Sequence, residues 1–259
     1  MLFHVLVAVY VTVLGLIIGS YLNVVVYRLP RGVSTVWPRS RCTSCGAAIR
    51  AFDNLPVVSY LLLRGRCRSC GAGISWRYPA IEALTGLLFF ACLERFGLTL
   101  DTVAATLFCC LMIVLAAIDV EHMLLPDRIT LPGIVLGILF QLWIPWAGGL
   151  LGGALGALLG GGILLAIAGA WYLLRREEGM GLGDVKMLAM VGAFLGWKGV
   201  LVTLFVSTLT GAAVGLAVAR RSGAGLKAKL PFGAFLAFAA LVALFFGAPW
   251  VDAYLGLLQ

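Results

Sequence analysis

The chain has 259 residues, 62% of them hydrophobic and only 12% charged, with a formal net charge of +8. Soluble domains are about 45–50% apolar and about 25% charged, so this composition excludes an ordinary soluble enzyme and a disordered tail and points to an all-α polytopic membrane protein. The basic balance could serve nucleic acid, anionic lipid or membrane topology, and the positions of the charges decide among them.

Eight apolar segments follow one another at about 2–27, 79–96, 99–118, 129–146, 148–174, 185–197, 199–219 and 231–256, and they predict about eight transmembrane helices. The sixth is the shortest and reads as a half-span or a tilted helix. Residues 1–27 carry no Lys or Arg, and the basic flank comes only at Arg28. A secretory signal has the reverse order, so 1–27 is read as a retained first transmembrane helix with the N-terminus outside. At 28–78 the composition shifts abruptly to Arg, Ser, Cys, Gly and Pro. This cytoplasmic insert is too small and polar to build a core, a deficit that a metal or disulfides usually make good. Residues 79–259 form the remaining helical core. Under this topology the cytoplasmic segments 28–78, 119–128, 175–186 and 220–230 hold 17 of the 19 Lys and Arg, as the positive-inside rule requires. Topology therefore accounts for the net charge with membrane lipid as partner and no nucleic acid, and an even number of spans returns the C-terminus outside. The Gly-rich run "GGLLGGALGALLGGG" (148–162) favours close helix packing. No tandem repeat is evident.

Four of the seven cysteines form two pairs, Cys42 and Cys45 in "CTSCG" and Cys67 and Cys70 in "CRSCG". Each pair is followed by a glycine, as a tight knuckle needs. Two such pairs at this spacing predict a closed, structural four-thiolate Zn²⁺ site that folds 28–78. Two disulfides are the alternative, and a cytoplasmic loop argues against them. Cys92, Cys109 and Cys110 lie within apolar segments and read as small buried hydrophobes.

Of the eleven acids, two are hard to dismiss. Asp119 ends the run "LFCCLMIVLAAID", where a helix C-terminus disfavours an anion. Asp184 opens a segment after "GMGLG", where it is well placed as an N-cap. Both fall at the cytoplasmic boundary, and ionisable groups there are functional candidates. Two carboxylates brought together share a proton, so that one activates water while the other polarises a carbonyl. Gly181 and Gly183, with Gly179, would let an extended backbone approach Asp184. Caps and ion pathways remain alternatives for both acids. Asn23 reads as an interhelical hydrogen-bonding group, His122 as a solvated loop histidine, and Asp127 as the cap of the following helix. Lys186 either tunes a nearby carboxylate or snorkels.

Several motifs in this order resemble the type IV prepilin peptidases, membrane aspartyl proteases of the GxGD class. They are "GSYLNVVVYRLP" (19–30), "CTSCGAAI" (42–49), "NLPVVSYLLLRGRCRSCGAGISWRYPAIE" (54–82), "IDVEHMLLPDRITLP" (118–132), "GMGLGDVKMLAMVGAFLG" (179–196) and "KLPFGAFLA" (229–237). The resemblance implies a catalytic pair at Asp119 and Asp184, with Gly181 and Gly183 as motif glycines, and zinc ligands at Cys42, Cys45, Cys67 and Cys70. It implies a bacterial inner-membrane enzyme that removes the short basic leader of prepilins and pseudopilins after a glycine. It also implies methylation of the new N-terminal amine by S-adenosylmethionine. No G-x-G-x-x-G follows a predicted strand, so no methyl-donor residues are assigned. An ion-coupled transporter with a zinc-bound regulatory loop is the alternative from another class, since Gly-broken helices suit it too.

Overall fold

The computed structural model describes residues 1–177, 180–222 and 230–257. The helices are α1 (Leu2–Arg28), α2 (Val58–Leu62), α3 (Arg77–Phe96), α4 (Leu100–His122), α5 (Asp127–Phe140), α6 (Gly149–Arg175), α7 (Leu182–Ser222), α8 (Phe232–Val242) and α9 (Ala248–Gly256). A π-helical turn, Ala243–Gly247, joins the last two, and the described residues contain no β-strand beyond two isolated bridges. Among the described residues, five helices are long and apolar enough to cross a membrane: Leu2–Arg31, Leu100–His122, Gly149–Arg175, Leu182–Arg221 and Phe232–Gly256.

Eight spans are not reached by that measure, for three physical reasons. Helix α5 has 14 residues, about 21 Å of rise, short of the roughly 30 Å hydrocarbon layer. Helix α3 is long enough at 20 residues, but Arg77, Glu82, Glu94 and Arg95 interrupt it. The segments 185–197 and 199–219 abut within α7 as two helices that meet at a kink at Gly196, at φ 67° and ψ −170°, and are counted once as a single long stretch. That backbone is open to glycine and strained for any other residue. Lys198, beside the break, pairs with Asp252 of α9 at 2.5 Å.

The chain divides into two compact units, 1–114 and 115–259, with the boundary inside α4. In the first unit α1 and α3 approach until their backbones nearly touch. A Cβ on Gly15 would lie 2.9 Å from the Gly86 Cα, and one on Gly19 would lie 2.8 Å from the Glu82 Cα. Asn23 is buried in this seam and donates across it to the Tyr78 carbonyl at 3.0 Å, the interhelical role expected for it. Buried Glu82 accepts the Val57 N–H at 2.7 Å and so ties the insert to α3.

The second unit is organised around α7, which packs against α5, α6 and α8. Glycines 153, 156 and 160 of α6 meet α7 where its backbone is bare. A Cβ on Gly156 would fall 2.3 Å from the Gly192 carbonyl oxygen, and one on Gly160 would fall 2.5 Å from that of Leu188. These neighbours are backbone and cannot rotate away, and without a hydrophobic drive in lipid such close contact is what holds helices together. Gly156→Ala is expected to push α6 off α7 and destabilise the protein by about 1–3 kcal/mol. A lowered unfolding temperature in detergent is the readout, and an unchanged one would refute the packing argument.

Candidate active site and metal centre

Asp119 lies one turn before the end of α4 and is 5% exposed. Its Oδ2 accepts the Ala234 N–H at 3.0 Å. That N–H belongs to the first turn of α8, which starts where Pro231 ends the extended chain. Proline suits a helix start because the first N–H groups have no intrahelical acceptor, and here one of them is spent on the carboxylate. Gly233 is needed for the approach, since a Cβ there would lie 2.9 Å from Asp119 Oδ2 and 3.0 Å from Leu125 Cδ1.

Asp184 lies in the first turn of α7, half-buried. It is not the helix cap weighed from the sequence. Its own N–H donates to the Gly181 carbonyl at 3.2 Å. A Cβ on Gly181 would stand 3.8 Å from Asp184 Oδ2, so that side of the carboxylate is lined by bare backbone. Gly183 faces the other way, with a Cβ position 2.9 Å from Leu125 Cβ. Buried Leu125 thus fills the space between Gly183 of α7 and Gly233 of α8. Asp119 borders this contact on the Gly233 side, and it lies near enough to Asp184 to act on it electrostatically. Gly179 and Glu178 lie outside the described residues, as does Lys229.

Two sequence expectations are corrected here. Asp127 does not cap α5: the cap position is Pro126, with no side-chain hydrogen bond. Asp127 instead receives both of its oxygens' contacts from Lys186, at 2.7 and 2.8 Å. The carboxylate that Lys186 meets is therefore Asp127 of α5. His122 stands 3.9 Å from Glu121 at the end of α4. The sequence reading missed Leu125, Gly233 and Ala234, although the first lies in "LLPD" and the others in "LPFGA". Only the proline in each motif hinted that a helix was about to begin beside an acid.

Gly183→Ala tests the packing. The added methyl would press on Leu125 and shift the first turn of α7, and displacement of about 1 Å at a reacting group costs on the order of 10²-fold in rate. Catalytic activity should fall by about that factor, and unchanged activity in the inserted variant would refute the packing argument.

The four paired cysteines come together in the first unit, with all Sγ atoms within 4.8 Å of one another and Cys42 Sγ 3.9 Å from Cys70 Sγ. Tetrahedral Zn–S bonds of about 2.3 Å put sulfurs about 3.8 Å apart, so the donor set fits the ion. The site is built from a repeat that the sequence reading overlooked, "SRCTSCGAAI" (40–49) and "GRCRSCGAGI" (65–74). In the first copy the Cys42 N–H donates to Ala47 O at 2.9 Å and the Gly46 N–H to Cys42 O at 2.9 Å. In the second the Cys67 N–H donates to Ala72 O at 2.8 Å and the Gly71 N–H to Cys67 O at 2.9 Å. Gly46 and Gly71 share the left-handed backbone, at φ 71° and 72°. The two copies are identical at seven of ten positions.

The N–H groups of Cys45 and Ser44 hold the Cys42 thiol down to about 6. At Cys70 the Ala72 N–H pulls the same way but is outweighed by its thiol's contact with Cys45, by burial, and by Cys67 and Cys42, leaving it at about 11. Crowded sulfurs resist becoming thiolates together, and a bound cation removes that resistance. The second knuckle is fixed to the 3-10 turn Ala51–Asn54 by Arg68, which grips Asp53 at 2.6 to 3.0 Å. That guanidinium holds the Asp53 carboxyl below its ordinary range.

Carboxylates on two membrane-length helices, with a four-thiol knuckle pair in the other unit, define a multi-pass membrane protein with an acid-pair site. The chain belongs to the type IV leader peptidase family: that family's model matches residues 106–216, and the bacterial peptidase A24 N-terminal domain matches residues 13–96. Among its relatives, a prepilin leader peptidase/N-methyltransferase of Burkholderia pseudomallei (strain 1026b) is 39% identical over 92% of this chain and 85% of its own length. A protein of the same description from Pseudomonas putida is 38% identical over 91% and 89%. One from Myxococcus xanthus (strain DK1622) is 44% identical over 83% of this chain and 64% of its own. No solved structure matches the chain significantly.

Proposed function

We propose that this chain is an inner-membrane aspartyl endopeptidase that removes the leader of prepilins and pseudopilins and then N-methylates the new terminus. The observation that carries the reading is that Asp119 lies near enough to Asp184 to act on it electrostatically, with α4, α7 and α8 brought together by the Gly183–Leu125–Gly233 packing. The pair shares one proton, so its titration belongs to both acids together. One carboxylate takes a proton from water as it attacks the scissile carbonyl carbon, and the protonated partner donates to the carbonyl oxygen. Collapse of the tetrahedral species breaks the C–N bond, and a proton passes to the leaving amine. The Ala234 N–H keeps Asp119 Oδ2 fixed, leaving Oδ1 for the chemistry. The bare edge at Gly181 gives an extended substrate backbone room beside Asp184.

Cys42, Cys45, Cys67 and Cys70 would hold Zn²⁺, which supplies a structural crosslink with no open position for substrate. S-adenosylmethionine, when bound, would supply the methyl group that the freed amine takes up, with loss of one proton and release of the thioether. The distribution of Lys and Arg supports the dyad and residues 28–78 on the cytoplasmic side with both termini outside. Residues 1–27, 28–78 and 79–259 then act as anchor, metal-bound insert and peptidase core. No observation favours the ion-coupled transporter.

The test is incubation of membranes containing the full chain with a prepilin and S-adenosylmethionine, read by mass spectrometry. A shortened product with a methylated N-terminal residue is expected, and an uncut prepilin would overturn the reading.

A further inference from the structure

A cavity of about 470 Å³ opens in the first unit between the end of α1 and the chain around the first knuckle. Small-molecule sites typically occupy about 300–1,000 Å³. We propose that it is a binding site for an anionic glycerophospholipid of the surrounding bilayer, held by its phosphate. The inference goes beyond the peptidase and methyltransferase reading and does not rest on it. It needs only that α1 lies in a membrane, for which the helix is long and apolar enough.

Charge selects the ligand. Arg28 and Arg39 line the cavity, and no carboxylate does. The chain carries no Asp or Glu before Asp53, and Asp53 is taken by Arg68. Arg28 is set in place by donating to the Ser34 carbonyl at 3.0 Å and to that of Arg39 at 3.5 Å, which leaves guanidinium donors to spare for a ligand. The Arg39 side chain has no hydrogen-bond or ion-pair partner among the described residues. Two guanidiniums without an acid call for an anion, and the planar fork of Arg grips phosphate oxygens two at a time. A zwitterionic headgroup is disfavoured, because its ammonium would meet two cations and no carboxylate to receive it. Thr35, Ser40 and Asn54 add the hydroxyls and the amide that a glycerol headgroup can use.

Depth selects a lipid over a soluble phosphate. Tyr21, Val24 and Arg28 stand at i, i+3 and i+7, so the α1 wall of the cavity is a single stripe of that helix. From Arg28 back to Tyr21 this stripe climbs about 10 Å into the apolar helix. Ile17 and Leu14 continue it beyond the cavity, and both are exposed. A ligand with a phosphate at one end and hydrocarbon at the other matches this gradient: the phosphate lies between the two arginines and an acyl chain runs along Tyr21, Ile17 and Leu14. Trp37 marks the same level. It is exposed, next to the lining residues Val36 and Pro38, and Trp is enriched where headgroups meet water. Basic pockets at the ends of membrane helices are sites where anionic headgroups are recognised.

The experiment is native mass spectrometry of the purified, zinc-loaded full chain in nonionic detergent, titrated with short-chain phosphatidylglycerol and, separately, with phosphatidylethanolamine of the same chains. Arg39→Gln tests the cavity, and Arg66→Gln removes the same charge from an exposed side chain outside it. Arg39 is exposed and its side chain unpaired, so its variant keeps every contact that shapes the loop; zinc content and unfolding temperature report whether each variant is folded. Phosphatidylglycerol should bind wild type about tenfold more tightly than phosphatidylethanolamine, and should lose about tenfold in Arg39→Gln with no change in Arg66→Gln. Equal affinity of wild type for the two lipids overturns the proposal and needs no variant to show it. Equal weakening in both variants means diffuse attraction to the basic insert, and full affinity in Arg39→Gln means a site elsewhere; either result overturns the cavity assignment. If inorganic phosphate or glycerol phosphate displaces the lipid at equal concentration, the cavity is a soluble-phosphate site and the proposal fails. None of these outcomes bears on prepilin cleavage, so the two readings stand or fall separately.

Discussion

Asp119→Asn and Asp184→Asn should each abolish leader cleavage, by about 10⁴-fold or more, the scale on which removal of one member of a cooperating catalytic set is felt. The amide is the right probe because it preserves the contacts. An asparagine at 119 can still present a carbonyl oxygen to the Ala234 N–H, which now donates to Oδ2 at 3.0 Å. The start of α8 therefore stays where it is, and Leu125 keeps its place between Gly183 and Gly233. What the amide loses is the ability to take or give a proton. Alanine would confuse the result by removing the carboxylate and leaving the Ala234 N–H only its longer contact with Pro231 O, at 3.3 Å. The assay is a gel shift of prepilin in membranes, with the amount of inserted protein measured alongside. The double variant should be no worse than either single one, because the acids act as a unit. Cleavage retained in either single variant would sink the dyad.

The second large effect concerns the metal. Purified protein should contain one zinc per chain, and Cys42→Ser or Cys67→Ser should release it. Apparent zinc binding in small thiolate domains is worth about 10–16 kcal/mol, far more than the packing of a short insert whose aromatic and aliphatic residues, among them Trp37, Phe52, Leu61 and Leu62, remain largely exposed. Loss of one ligand should unfold much of the insert, seen as new proteolytic sites within 28–76. Methylation should be lost before cleavage, because Asp119, Asp184 and the residues that hold them all belong to 115–259. Equal loss of both activities would count against that separation. Four thiols found paired as disulfides would refute the metal centre.

Much of this was legible in the sequence because its signals are local. A C-x-x-C-G knuckle closes on itself through hydrogen bonds that span five residues, as from the Cys42 N–H to Ala47 O, so spacing alone exposes it. An acid among apolar residues is costly wherever the chain goes, so Asp119 and Asp184 stood out without a partner in view. The span count was less legible. Hydropathy does not see that two segments abut at a positive-φ glycine kink within α7, nor that α5 stops at Phe140. Asp127 was misread for a related reason. Its position invited a local cap, while its actual partner, Lys186, lies 59 residues away.

The sequence by itself determined the membrane class, the four paired cysteines, the two acids and the order of motifs that marks the family. Each is a property of composition or of short-range spacing. The tertiary structure alone decided which backbone N–H meets Asp119, 115 residues distant, and that Leu125 is the piece on which Gly183 and Gly233 close. It alone opened the cavity beside the first knuckle. These depend on how closely helix backbones approach, and that distance is set by side chains absent from facing glycines far apart in the chain.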